Sequence, residues 1–131
     1  DFPGIPQNLA IIYLAKGETD NAITELKKAI SYQRREETMP PLYVELGNLY
    51  LKLGRYEPAE TAFMDALKID SNIVSAHYGL SGVYLRQNKI EEGLFELKKV
   101  VELGPESEEA KYARAAIQKI EQAKSDSQPT N

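Results

Sequence analysis

The chain repeats itself, and that limits its fold more than any single residue does. Shifting the sequence by 34 positions lays Tyr50 on Tyr84, Leu46 on Leu80, Gly47 on Ser81, Gly54 on Asn88 and Ala59 on Gly93. The same shift lays Phe63 on Leu97, Ala66 on Val100, Leu67 on Val101 and Ser71 on Pro105. In the other direction Tyr13 lies 37 residues before Tyr50, and Leu9, Ala10, Gly17, Ala22, Leu26, Ala29 and Ile30 fall on the same classes. A period of this size marks an array of supersecondary units, none of which can bury its apolar face alone.

The spacing inside each unit predicts two amphipathic helices folded back on each other. Residues 40–72 hold the clearest copy: Tyr43, Leu46, Gly47 and Tyr50 on the first helix, Gly54 at the reversal, and Ala59, Phe63, Ala66 and Leu67 on the second. Small residues (Ala10, Gly47, Ser81; Ala22, Ala59, Gly93) alternate with large ones (Tyr13, Tyr50, Tyr84; Leu26, Phe63, Leu97) at spacings of three and four. Such alternation lets the ridges of neighbouring helices interlock.

At these residues the chain resembles the tetratricopeptide repeat, a 34-residue helix–turn–helix unit. The middle copy carries the pattern best, through Tyr43, Leu46-Gly47, Tyr50, Ala59, Phe63 and Ala66. The third copy has His77 in the aromatic slot and the closing proline as Pro105, while the first has Pro6 where the aromatic stands. The resemblance implies an all-α fold, a right-handed α-solenoid of antiparallel helix pairs with seven helices. Repeats are expected at about residues 3–39, 40–73 and 74–107, with an end helix at about 106–124, so that the repeat domain spans 1–124. Residues 125–131 contain no apolar side chain and are expected to form a disordered tail.

Local signals place the boundaries. Thr19 and Asp20 are expected to cap the second helix, which is expected to continue to about Glu37 before Pro40 and Pro41 start the next. The charged run Arg34, Arg35, Glu36, Glu37 reads as a solvated helix end in preference to a docking spur. Asp70-Ser71-Asn72 reads as a capping cluster for the third pair, expected at 73–87 and 89–103. With no cap before Asp1-Phe2-Pro3 and no initiator Met, further repeats are expected upstream.

Composition excludes several functions. The 131 residues contain no cysteine, so neither disulfides nor a thiolate metal site can form, and the compartment stays open. A net charge of −4, with 16 basic and 20 acidic residues interspersed, argues against nucleic-acid binding. No apolar run is long enough for a membrane span. A single histidine, His77, and no glycine-rich phosphate loop leave no catalytic, cofactor or metal constellation. A packed ring is the expectation for His77, and acidic helix starts such as Glu91-Glu92 and residues 106–109 complement the helix dipole.

The reading that remains is a non-catalytic interaction module whose first helices line a concave groove. The groove candidates are Gln7, Ile11, Leu14, Val44, Glu45, Asn48, Leu51, Lys52, Ser75, Tyr78, Leu85, Arg86 and Tyr112, positions the packing pattern does not require. Leu14, Leu51 and Leu85 could equally pack as core, whereas Val44 and Tyr78 read as free apolar surface. The expected partner is a protein segment, apolar with a polar edge. Some members of the family hold a chaperone's C-terminal carboxylate with lysines, asparagines and an arginine. Gln7, Ile11, Glu45, Ser75 and Gly79 occupy those places here, so no such clamp is expected. Self-assembly through exposed ends, or a regulatory role within a larger protein, are the alternatives.

Overall fold

A computed structural model of the protein describes residues 4–32 and 39–127, and these form seven helices. They are α1 (Gly4–Ala15), α2 (Thr19–Tyr32), α3 (Met39–Lys52), α4 (Tyr56–Ile69), α5 (Val74–Arg86), α6 (Ile90–Leu103) and α7 (Glu108–Ser127). Helices α1 and α2, α3 and α4, and α5 and α6 pack as antiparallel pairs, with α7 against α6. Successive pairs meet through α2–α3 and α4–α5, while α3 touches α5 and α5 touches α7. The result is an α-solenoid in which α3, α5 and α7 stand side by side as one wall.

Each pair reverses through the same turn. Gly17, Gly54 and Asn88 take left-handed φ values of 77°, 74° and 61°. At each, the next amide reaches back to a tyrosine carbonyl: Glu18 to Tyr13 at 2.8 Å, Arg55 to Tyr50 at 2.9 Å and Lys89 to Tyr84 at 2.8 Å. The left-handed residues themselves donate to Leu14, Leu51 and Leu85. This doubly bonded turn satisfies carbonyls that the helix end would otherwise orphan. Asn88 tolerates the conformation nearly as well as glycine does, which is why the repeat accepts it.

The alternating small and large residues build the core. Ala10, Gly47, Ser81, Ala22, Ala59 and Gly93 are all buried. Phe63, with no exposed surface, is the largest buried side chain. A Cβ placed at Gly47 would lie 2.7 Å from its ring, and one at Gly79 closer still, so the ring fills a slot that glycines on α3 and α5 keep open. Leu26, Leu42, Leu80 and Val83 extend this core, and Leu97, Val100, Ala110 and Ala113 form a second one under α7.

Several local expectations are corrected. Thr19 and Asp20 lie inside the first turn of α2, since the Glu18 carbonyl already accepts the Ala22 amide; Thr19 is buried and Asp20 pairs with Arg55 at 2.7 Å. Residues 70–72 do not cap α5. Its N-cap is Ile73, without a side-chain bond, and Asp70 instead accepts the Asn72 amide at 3.0 Å. Helix α7 starts at Glu108 because Ser107 caps it, its hydroxyl accepting the Ala110 amide at 3.1 Å. It ends at Ser127, so residues 125–127 are helical and not tail: Gln122 donates to Asp126 and the Ser127 hydroxyl to the Lys124 carbonyl. The extension of α2 to Glu37, the charged run at 34–37 and residues 128–131 lie outside the described residues.

Candidate interaction groove

The wall of first helices carries two adjoining hollows. One, of 410 Å³, is lined by Asn48 and Leu51 from α3, Ser75, Tyr78, Gly79, Gly82 and Arg86 from α5, and Glu108, Glu109 and Tyr112 from α7. The other, of 550 Å³, is lined by Pro40, Pro41, Val44, Glu45 and Asn48 from α3 with Asp70, Ile73 and Ser75. Asn48 and Ser75 belong to both, so the hollows form one trough along the wall.

Sequence-selected residues fall into three groups. Asn48, Leu51, Ser75, Tyr78, Arg86 and Tyr112 meet in the first hollow, and Val44 and Glu45 join Asn48 and Ser75 in the second. Tyr112 is 60% exposed; Tyr78 is half-buried against the second core. Gln7, Ile11, Leu14, Lys52 and Leu85 line neither hollow. Leu14 packs against the first core, and Leu85 lies where a Cβ at Gly93 would meet it. Ile11 is open to solvent on α1, beside the exposed Leu9 and Ile12.

Val44 departs from expectation. It is only 9% exposed and belongs to the core, on a helix that packs against α2, α4 and α5. Leu51 is similarly engaged, 3.2 Å from where a Cβ on Gly82 would stand. The missing side chain at Gly82 therefore both seats Leu51 and deepens the trough.

Charge in the trough is unequal. Four carboxylates, Glu45, Asp70, Glu108 and Glu109, face one guanidinium, Arg86. Arg86 is partly engaged, donating to the Leu51 carbonyl at 3.3 Å and so closing the end of α3. Burial raises the Glu45 carboxyl above its ordinary range. Glu108 and Glu109 were missed as groove residues, since at a helix start the dipole already accounts for them.

His77 is held, not reactive. Its ring lies between α5 and α6, with Nδ1 2.6 Å from Glu96 Oε2 and Nε2 2.9 Å from the Ser71 carbonyl. Histidine and glutamate are both buried, so this cross-pair contact fastens α5 to α6 and to the loop before it. Among the described residues no three metal-ligating side chains converge, and no helix is long and apolar enough to cross a membrane.

Two tetratricopeptide repeat family profiles match, over residues 5–72 and 44–108. The chain belongs to the tetratricopeptide repeat family. It is 30% identical over 101 residues to the TPR repeat-containing protein MJ1428 of Methanocaldococcus jannaschii, covering 75% of this chain and 18% of that protein. It is 33% identical over 81 residues to ETO1-like protein 2 of Arabidopsis thaliana, covering 62% of this chain and 8% of that one. The tetratricopeptide chain thus spans less than a fifth of either relative. Among solved structures, the first TPR domain of Spaghetti (RPAP3), bound to an HSP90 peptide, superposes with a TM-score of 0.80 at 22% identity, covering 94% of this chain and 93% of that one. MamA superposes with a TM-score of 0.80 at 20% identity, covering 94% and 68%. These likenesses establish the solenoid fold.

Proposed function

We propose that this tetratricopeptide domain is a non-catalytic interaction module that holds a peptide or helix of another protein in the trough formed by α3, α5 and α7. One observation carries the reading: two hollows sharing Asn48 and Ser75 run across three consecutive first helices, with Tyr78, Leu51 and Tyr112 giving apolar contact and Asn48 and Ser75 giving hydrogen bonds. A preformed groove of this kind loses little entropy on binding. Two RPAP3 domains of the same fold are bound to peptides, the first to one of HSP90 and the second to one of HSP70. Here Gln7, Ile11, Glu45, Ser75 and Gly79 replace the cationic clamp, which argues against a carboxylate-terminated chaperone tail as the ligand.

Because Val44 is core, the informative variants are Asn48→Arg and Tyr112→Ala, both at exposed positions. Each is expected to weaken capture of the partner about tenfold or more while leaving the melting temperature unchanged. Wild-type binding by both variants would remove the groove from the account. Self-assembly is the second reading, favoured by Leu9, Ile11 and Ile12 standing exposed together on α1. Light scattering across a concentration series separates the two, since a groove-binding adaptor stays monomeric without ligand.

A further inference from the structure

The trough is acidic, and that selects its ligand. We propose that the tetratricopeptide groove takes a cationic segment of a partner protein, one carrying lysine or arginine among apolar residues. The proposal rests on the groove reading above and specifies its partner.

Charge complementarity is the argument. Carboxylates stand along the whole trough: Glu45 and Asp70 line one hollow, and Glu108 and Glu109 line the other. Among the described residues, none of these four carboxylates makes an ion pair, although six Lys or Arg pairs with carboxylates form elsewhere. Arg86, the one cation in the lining, is already donating to a backbone carbonyl. The trough therefore carries an excess of negative charge, four carboxylates to one guanidinium, beside apolar side chains.

Glu45 sharpens the point. It is half-buried beside Pro40, Pro41, Val44 and Ile73, and burial raises its carboxyl, with no ion pair to it among the described residues. A ligand ammonium or guanidinium placed there would supply the missing partner, and it would be less screened than at an open surface. The aromatic rings fit the same ligand. Tyr78 and Tyr112 line the hollow that also holds Glu108 and Glu109, so a cation seated there meets both carboxylate and ring. An acidic or carboxylate-terminated segment would instead meet four like charges.

The test is selection of 12-residue peptides from a random display library on the immobilised domain, followed by affinity measurement of the winners by fluorescence polarisation. Expected are winners that combine lysine or arginine with apolar residues and bind about tenfold or more weakly when salt rises from 50 to 500 mM. Glu45→Gln and Glu109→Gln are each expected to weaken them about three- to tenfold, and Asn48→Arg to abolish binding. Winners that are neutral or acidic yet lost on Asn48→Arg and Tyr112→Ala overturn the cationic ligand and leave the groove standing. Winners indifferent to Asn48→Arg and Tyr112→Ala, or no enrichment at all, overturn both.

Discussion

The slot around Phe63 makes a quantitative prediction about stability. Its ring is fully buried, and hypothetical Cβ atoms at both Gly47 and Gly79 fall inside contact distance of it. Gly79→Ala alone should therefore destabilise. Forcing a methyl onto an immobile ring costs about 1–3 kcal/mol, at the upper end here, against about 1 kcal/mol gained from better helix propensity. Phe63→Ala alone should cost about 3–5 kcal/mol through lost burial and the cavity left behind. In the double variant the collision is gone, so Gly79→Ala keeps its helical gain and adds about 0.8 kcal/mol by burying a methyl in the vacated space. Its effect then changes sign, from about 1–2 kcal/mol destabilising to about 1–2 kcal/mol stabilising. Urea unfolding of the four proteins, followed by circular dichroism, measures the cycle. If Gly79→Ala destabilises both backgrounds equally, to within about 0.5 kcal/mol, the glycines are not there for the ring.

Two further perturbations follow from buried polar groups. Burial, with Glu60 and Glu96 nearby, pushes the Tyr84 hydroxyl up to about 12. Its folded-state value lies above the unfolded one, so its contribution is complete below about pH 10 and lost as pH rises through 12. Wild-type stability should fall more steeply than that of Tyr84→Phe between pH 9.5 and 11.5 in urea titrations, and parallel curves would contradict this. Removing one partner of the His77–Glu96 contact should cost about 1–3 kcal/mol, because Glu96→Ala strands a buried ring nitrogen. The double variant His77→Phe, Glu96→Leu should recover part of that loss in thermal melts; equal loss in both would refute the explanation.

Packing was legible in the sequence because it is periodic. Tyr50, Phe63 and Ala59 recur with their equivalents at a fixed spacing, and a repeated chemical class can be read without coordinates. Gly54 and Asn88 were legible as one turn for the same reason. Val44 was not, since α3 packs against helices of both neighbouring units, contacts that no spacing within a unit encodes. Nor was Gly79, which serves to admit Phe63 from the neighbouring helix.

Legibility failed most at the groove's charge, and the cause is geometric. Glu108 and Glu109 stand in the first turn of α7, so their place in the trough depends on that turn being formed. That is decided by one hydroxyl: Ser107 caps the helix, so the turn after Gly104 ends there and not at Glu106. The phase of α7 is set by Ala110 and Ala113, both fully buried, and that phase brings both carboxylates into the lining with Tyr78 and Tyr112. On the proposed reading, the Ser107 cap bears on ligand preference by holding that first turn in place. Ser107→Ala, which removes the cap, should fray the first turn of α7 at a cost of about 1 kcal/mol. It should also weaken cationic peptides more than neutral ones, a difference that loss of stability alone would not produce.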